Sequence, residues 1–349
     1  MQTKVLKPDA AALKEAAELL AAGQLVAFPT ETVYGLGANA LDEKAVRSIF
    51  EAKGRPADNP LIVHIYDRSQ LAPLCEVPEA AAKLMDAFWP GPLTVIMPKK
   101  EAVPAAVTAG LDTVAVRMPS HPAAAAMLRV CRLPVAAPSA NRSGKPSPTT
   151  AAHVLEDMDG RIPLILDGGP CDVGVESTVV DVTGEQACIL RPGGVTQGML
   201  ESVLGPVKVA GSVLHPLKEG EVARSPGMRY RHYAPNGQIT LVEGEPEQVV
   251  QAIRLLAEDA AAHGHRTAVM CFHEHAAALA AFRPHDLGSA DRPEETAHRL
   301  FATLRLLDEE GAEAIFSEVV PPEGVGLAVM NRLGRAAAFR SVQAADVLG

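Results

Sequence analysis

Hydrophobic positions in the first two hundred residues form short apolar runs that alternate with stretches of helical periodicity. Apolar runs of four to six residues are typical of buried strands and are too short for most helices. They predict strands at residues 25–28, 61–66, 93–98, 113–118, 134–137 and 162–166. Two further strands, 177–182 and 187–190, are predicted to form a hairpin across Thr183-Gly184.

Helical patterns lie between these strands. Asp42 is an expected N-cap for a helix that continues to Lys53 and ends at Gly54. Helices are also predicted at 79–88, at 123–131, and after a cap at Thr149 or Thr150. Because strands alternate with helices, the pattern predicts an α/β domain with a mixed sheet.

The pattern changes after residue 205. Residues 206–237 contain no long periodic segment and are interpreted as a linker, although the three Arg, two Tyr and one His within residues 224–233 are dense for a mere tether. Strands at 239–242, 267–272 and 314–319 then alternate with helices at 247–262, 294–307 and 326–338. We therefore predict an α/β domain at 1–205 and a smaller Rossmann-like domain at 238–349.

Composition narrows the class of protein. The 349 residues are 48 % hydrophobic and 21 % charged, which is typical of a globular protein and excludes long disorder. The net charge of −10 argues against a protein that coats nucleic acid, although a local basic pocket remains possible. Five widely spaced cysteines fit a reducing cytoplasm. Uncharged stretches are too short for a membrane span, and the charged N-terminus does not resemble a signal peptide.

Polar clusters follow the predicted strands, where open α/β sheets bind ligands. Lys53 and Arg55 flank a glycine, and two fixed cations suit a polyphosphate. Ser139 and Asn141 lie in a turn whose oxygens and amide suit phosphate or ribose, although a polar loop is the simpler explanation. Arg117 lies in an apolar strand and needs an anionic partner if it is buried, with a structural salt bridge as the default explanation.

Several common motifs are missing from the sequence. It contains no G-x-x-x-x-G-K-[ST] loop, no G-x-G-x-x-G after a strand, no G-x-S-x-G elbow and no H-E-x-x-H. The glycines at 324 and 326 are not expected to begin a βαβ unit. His263, His265, His273 and His275 are expected to be surface residues rather than metal ligands.

Seven motifs in the first two hundred residues resemble, in order, the YrdC-type domain of threonylcarbamoyl-AMP synthases. They are FPTETVYGLGANA, KGRPADNPLIVH, WPGPLT, VAVRMPSHP, APSANRSGKPSPT, ESTVVD and ILRPG. SPGMRYRHYAP in the linker and GVGLAVMNRLGRAA near the C-terminus resemble the longer, two-domain members. The resemblance spans essentially the whole chain.

The resemblance implies an activity. L-threonine, bicarbonate or carbon dioxide, and ATP with Mg²⁺ would give threonylcarbamoyl-AMP and pyrophosphate. The product would pass to the partner proteins that modify adenosine 37 of tRNA, in the cytoplasm, with at most weak tRNA binding by this chain and no membrane association.

The resemblance also implies roles for individual residues. The catalytic set around the phosphates would be Lys53, Arg55, Ser139 and Asn141. Further ATP contacts would be Asn59, Thr113, Ser147, Arg191 and His232. Threonine contacts would be Thr32, His64, Arg117, Ala137 and Ser177. The linker would close over the site with Tyr230 and Tyr233, and no residue is assigned to a metal.

Two alternatives belong to other classes. An RNA-binding module would use the local cations, but the charge of −5 in each of the halves 1–205 and 206–349 weighs against a broad footprint. A carbamoyltransferase of hydrogenase maturation also contains a YrdC-type domain. This chain lacks the Cys-rich zinc segments expected there.

Overall fold

The computed structural model describes residues 2–215 and 233–349. They form two compact units: 2–143 with 147–213, and 233–349 with the short stretches 144–146 and 214–215. Part of the expected linker lies outside the described residues. Its described part contains a two-residue strand and one turn of 3₁₀ helix, Gly211–Val213.

The strands of the described chain are numbered in chain order. They are β1 Lys4–Leu6, β2 Val26–Phe28, β3 Gly35–Asn39, β4 Ile62–His64, β5 Leu93–Pro98, β6 Thr113–Arg117, β7 Val135–Ala137, β8 Leu164–Leu166, β9 Thr178–Asp181, β10 Cys188–Arg191, β11 Lys208–Val209, β12 Gln238–Glu243, β13 Thr267–Cys271, β14 Pro284–Asp286, β15 Ala314–Glu318 and β16 Ser341–Gln343.

The helices are numbered in the same way. They are α1 Ala10–Ala21, α2 Glu43–Lys53, α3 Glu79–Phe88, α4 Ala105–Thr108, α5 Pro122–Cys131, α6 Ala151–Met158, α7 Gln197–Leu204, α8 Pro246–Ala262, α9 Pro293–Glu309, α10 Gly326–Ala336 and α11 Ala344–Leu348.

Helix α2 shows how local sequence sets an element that the site uses. The Asp42 carboxylate accepts hydrogen bonds from the backbone N–H groups of Lys44 and Ala45, which confirms it as the N-cap. Gly54 ends the helix with φ 62°, a left-handed conformation that favours glycine. The helix therefore stops directly after Lys53 and leaves that side chain at the start of a loop.

The first unit contains an eleven-stranded sheet with the order β1-β8-β2-β3-β7-β4-β6-β5-β9-β10-β11. Parallel pairs such as β4 with β6 and antiparallel pairs such as β5 with β6 make it mixed, as expected. Helices α1 and α5 pack on one part of it around Leu20, Phe28 and Met127.

Strand β3 was missed by the sequence pattern, which suggested only a turn in this segment. Its GLGAN sequence lacks apolar alternation, yet it pairs with both β2 and β7. A Cβ on Gly37 would lie 2.7 Å from Val135 Cγ1 and 2.9 Å from Phe28 Cε1. The glycine thus permits close packing beneath the strand, a requirement that hydrophobic periodicity does not show.

The second unit contains a parallel sheet with the order β14-β13-β15-β12-β16. Strand β15, the Gly324–Gly326 turn, α10 and the parallel strand β16 form a βαβ connection across β12. The expectation that these glycines would not begin such a unit was wrong, because the turn has no G-x-G-x-x-G spacing to mark it. The all-parallel sheet confirms the Rossmann-like prediction.

Helices throughout residues 2–215 and 233–349 are either too short or too polar to cross a membrane.

Candidate active site

One face of the first sheet carries both apolar and polar candidate residues. Strand register pairs His64 with Arg117, and Arg117 with Thr94, so the three side chains share a face. Ile62, Ala115 and Ile96 lie one step further along the same strands and form a small apolar cluster. We call this surface the site face.

Arg117 is held by three contacts at one end of the site face. Nη1 donates to Thr32 Oγ1 at 2.8 Å, and Nε donates to the Gly91 carbonyl at 3.3 Å. Nη2 lies 2.8 Å from Glu31 Oε1, with side-chain exposures of only 4 % for Arg117 and 7 % for Glu31. The salt bridge expected for a buried Arg117 is therefore present, and its anionic partner is Glu31.

Burial and the charge of Arg117 together shift the pKa of two groups in this cluster. Burial would raise the pKa of Glu31, but the charge of Arg117 and its contact outweigh burial and hold that pKa below its usual value. Burial, reinforced by Arg117, lowers the pKa of His64 to about 3. Nδ1 of His64 lies 3.2 Å from the Ile62 carbonyl oxygen. His64 is therefore a neutral ring in the folded chain.

Ser177 and Arg191 meet beside Thr94. The Ser177 hydroxyl lies 2.8 Å from Thr94 Oγ1, and Arg191 Nη2 donates to it at 3.1 Å. Arg191 Nε also donates to the Ser177 carbonyl at 3.1 Å. The hairpin of β9 and β10 thus brings a predicted ATP residue into contact with a predicted threonine residue.

Lys53 anchors the loop that contains Ser139 and Asn141. Its ammonium donates to the Ser139 carbonyl at 2.5 Å and to the Asn141 carbonyl, and lies 3.4 Å from Asn141 Oδ1. Ser139 Oγ donates to the same Oδ1 at 2.5 Å. Lys53, Ser139 and Asn141, three of the four predicted catalytic residues, therefore lie together. The hydrogen bonds of Lys53 to two backbone carbonyls hold the conformation of this loop.

Replacing Lys53 with Met should therefore loosen the loop. The Ser139 and Asn141 carbonyls would lose a buried charged donor, at a cost of about 2 kcal/mol in the free energy of unfolding. Urea unfolding followed by circular dichroism would measure it. Lys44→Met, on the exposed side of α2, is the control and should change stability little. Equal effects of the two substitutions would contradict the anchoring role.

Arg55 and Asn59 lie together in the next loop. Arg55 Nη2 donates to the Asn59 carbonyl at 3.1 Å, and its guanidinium lies 5.9 Å from the centre of the Phe50 ring. Asn59 is 2 % exposed, and its Oδ1 has no hydrogen-bond partner within the described parts of the chain. A buried acceptor of this kind suits an N–H donor of a ligand.

The remaining predicted residues of the first unit lie on or beside the same strands. Ser147 Oγ donates to Glu176 Oε1 at 2.5 Å, and both residues are buried. Ala137 pairs with Ile62 across β7 and β4. Thr113 begins β6, on the same face as Arg117 and four residues before it.

Two family models match the chain. One, described as telomere recombination and named for Sua5, YciO and YrdC, matches residues 18–193. The other, the C-terminal domain of threonylcarbamoyl-AMP synthase, matches residues 195–338. The threonylcarbamoyl-AMP synthase of Pyrococcus abyssi is 48 % identical over 95 % of each chain, and that of Bacillus subtilis is 48 % identical over 95 % of this chain and 94 % of its own.

The chain belongs to the threonylcarbamoyl-AMP synthase family. The crystal structure of Sua5 from P. abyssi complexed with L-threonine matches it with a TM-score of 0.93 and 46 % identity, covering 98 % of this chain and 99 % of the other. These likenesses confirm the fold and the family that the motifs implied. The roles of individual residues, and the domain boundaries, stay predictions.

Three polar residues of this synthase's site region were not singled out from the sequence: Glu31, Thr94 and Glu176. Glu31 is the only charged residue between Gln24 and Leu41, and a buried Arg117 called for an anion, so a signal existed. Thr94 and Glu176 carry no comparable signal, because only tertiary contacts bring them to Ser177 and Ser147.

The lid prediction is only partly covered by the structure. Tyr230 and His232 lie outside the described residues. Tyr233 is buried in the second unit, where its ring centre lies 5.1 Å from that of Phe301. Its role in closure stays a prediction.

The histidines of the second unit pair with carboxylates. His273 Nδ1 lies 2.9 Å from Asp286 Oδ2, and His275 Nδ1 lies 2.6 Å from Glu318 Oε1. His263, His265 and His273 are exposed and His275 is half-buried, so the surface prediction holds fully for all of them except His275. No group of three or more His, Cys, Asp or Glu that could hold a metal ion occurs within 2–215 or 233–349.

Proposed function

We propose that this chain synthesises L-threonylcarbamoyladenylate from L-threonine, bicarbonate or carbon dioxide, and ATP, with release of pyrophosphate. The layout of the site face is the main support. Arg117 and Thr113 lie at opposite ends of β6, about 13 Å apart at the rise of a β-strand. That span suits a ligand with an amino acid at one end and a nucleoside at the other.

The chemistry requires two bond-forming steps. Bicarbonate can take a proton from the threonine ammonium and break down to carbon dioxide and water. The free amine then attacks carbon dioxide, forming a C–N bond and releasing a second proton to solvent, which gives a carbamate. A carbamate oxygen then attacks the α-phosphorus of ATP, and the bond to the β-phosphate bridging oxygen breaks as pyrophosphate leaves. Because carbamates decompose in water, a site that excludes solvent favours the second step. Arg117, His64 and Ser177 are all buried, which suits this requirement.

Positioning and charge neutralisation account for the residue types at the nucleotide end. Phosphoryl-type transfers depend mainly on aligned reactants and on donors aimed at the developing charge. We propose that Arg55 faces the phosphates, that Ser139 and Asn141 position them from the loop anchored by Lys53, and that the Asn59 amide oxygen accepts an N–H of the nucleotide.

We propose Mg²⁺ as a companion of ATP. A triphosphate supplies most of the oxygen ligands that Mg²⁺ prefers, so the ion needs few protein ligands. The described residues offer no cluster of three carboxylates or histidines for a dedicated ion site.

Pyrophosphate release tests the proposal. Purified protein with ATP and Mg²⁺ should release pyrophosphate only when threonine and bicarbonate are both present, and mass spectrometry should detect the adenylate. The controls are a reaction with serine in place of threonine and a reaction without bicarbonate. Release that does not depend on threonine would contradict the assignment.

Arg55→Ala should lose at least 100-fold in turnover while the protein remains folded. Loss of one charged donor at a phosphoryl centre costs roughly 10²–10³ in rate. Arg55 is only half-buried, so its removal should cost the fold little. Arg47→Ala, an exposed position on α2, is the matched control. An unchanged pyrophosphate release rate in Arg55→Ala would remove Arg55 from the phosphate role.

The product is a mixed anhydride between a carbamate and AMP, which is a reactive acyl donor. We propose that the tRNA threonylcarbamoyl-transfer machinery in the cytoplasm consumes it. The chain's net charge of −10 supports at most weak tRNA binding by this protein itself.

A further inference from the structure

Glu31 and Arg117 form an ion pair inside the site face. Arg117 Nη2 lies 2.8 Å from Glu31 Oε1, and the backbone N–H groups of Glu31 and Ser120 also favour the charged carboxylate, but none of these contacts to either oxygen has full hydrogen-bond geometry. A guanidinium has five N–H donors. Contacts to Thr32, Gly91 and Glu31 use three of those of Arg117.

Stability alone does not account for such a pair. Removing two charges from water is expensive, and a buried ion pair is often no more stabilising than apolar residues of similar volume. Glu31 has few hydrogen bonds to offset that cost. A buried carboxylate with unused acceptor capacity, beside residues predicted to bind the amino acid, suits a ligand donor.

The charges of this cluster match a free amino acid. His64 is neutral, so Arg117 and Glu31 contribute one positive and one negative charge. A zwitterionic amino acid carries the same two charges, a carboxylate and an ammonium. Its carboxylate can take the remaining N–H groups of Arg117, and its ammonium can donate to Glu31.

We propose that Glu31 is a specificity-determining residue that accepts the α-ammonium of threonine and thereby selects zwitterionic amino acids over carboxylic acids that lack the amine. This inference rests on threonine being the substrate, as proposed above. Without Glu31 the cluster would be net positive and would bind any small carboxylate.

Glu31 is better suited to be a counter-ion than a base. Despite burial, Arg117 holds the pKa of Glu31 below its usual value, so the carboxylate is a poor acceptor for the ammonium proton. Once the amine becomes a carbamate, its charge is negative and Glu31 repels it. The repulsion favours a carbamate directed away from Glu31.

A pair of ligands separates this role from a structural one. L-Threonine and 3-hydroxybutanoate differ only in the amine, and calorimetry with the full chain measures the affinity of each. The wild-type protein should bind threonine at least tenfold more tightly than 3-hydroxybutanoate. Glu31→Gln keeps the side-chain volume, and it should reduce that ratio at least tenfold by weakening threonine while leaving 3-hydroxybutanoate unchanged or tighter.

The control is Asp181→Asn, which neutralises another buried carboxylate of the same sheet, one that accepts from the Thr183 N–H. The ratio should stay unchanged in that variant. An unchanged ratio in Glu31→Gln, or an equal loss of both affinities, would overturn the proposal.

If Glu31→Gln does not fold, the wild-type ratio still decides, because equal affinities for the two ligands would overturn the role of Glu31. Failure of the proposed function has a different readout. It would appear as wild-type protein that releases no pyrophosphate with threonine.

Discussion

Replacing Arg117 with Met is expected to lower the free energy of unfolding by about 3–5 kcal/mol, because it leaves a buried carboxylate without its cation. Glu31 would then be a charged group with almost no access to water and without its counter-charge. Denaturant unfolding at pH 7 measures the change. Threonine-dependent turnover should be lost as well.

Two further variants test the cause of that loss. Arg47→Met removes the cation of an exposed pair with Glu43, whose side chains are 61 % and 51 % exposed, and should cost at most about 1 kcal/mol. The double variant Glu31→Gln with Arg117→Met removes both charges and should recover much of the stability. If the double variant were as unstable as Arg117→Met alone, the stranded charge would not be the cause.

His64 should make the protein lose stability in mild acid. Its pKa is about 3 in the folded chain because of burial and Arg117, whereas an unfolded histidine titrates near 6.5. Below pH 6.5 the unfolded chain therefore binds a proton that the folded chain does not. The difference disfavours folding by about 2 kcal/mol at pH 5 relative to pH 8.

Unfolding curves of wild type and His64→Gln across pH 5–8 measure this effect. The difference between their free energies of unfolding should change by about 2 kcal/mol over that range, in the direction that penalises wild type in acid. His263→Gln, whose ring is exposed in the folded chain, should run parallel to wild type. Parallel curves for His64→Gln would show that His64 does not titrate differently on folding.

Local elements were the most predictable part of the fold. Helix α3 and strand β5 have the predicted limits, because Pro90 and Pro92 separate a helical pattern from a continuous apolar run. Strand β3 was missed because its glycines serve close packing on Phe28 rather than hydrophobic alternation. Periodicity detects elements whose side chains make the contacts, and it fails where the backbone makes them.

The sequence by itself determined the order of most helices and strands, the mixed α/β class, the candidate cations and the family. It also required that a buried Arg117 have an anionic partner. These follow from local periodicity, helix caps and motif content, each of which depends on only a few neighbouring residues.

Only the tertiary structure decided which side chains meet. Lys53 reaches the Ser139 carbonyl 86 positions away, and Arg117 reaches Thr32 and Glu31 about as far along the chain. Such partners depend on strand order and register, which are set by long-range contacts and not by any local pattern. For the same reason only the structure shows that Lys53, whose phosphate role stays a prediction, contacts the loop that contains Ser139 and Asn141.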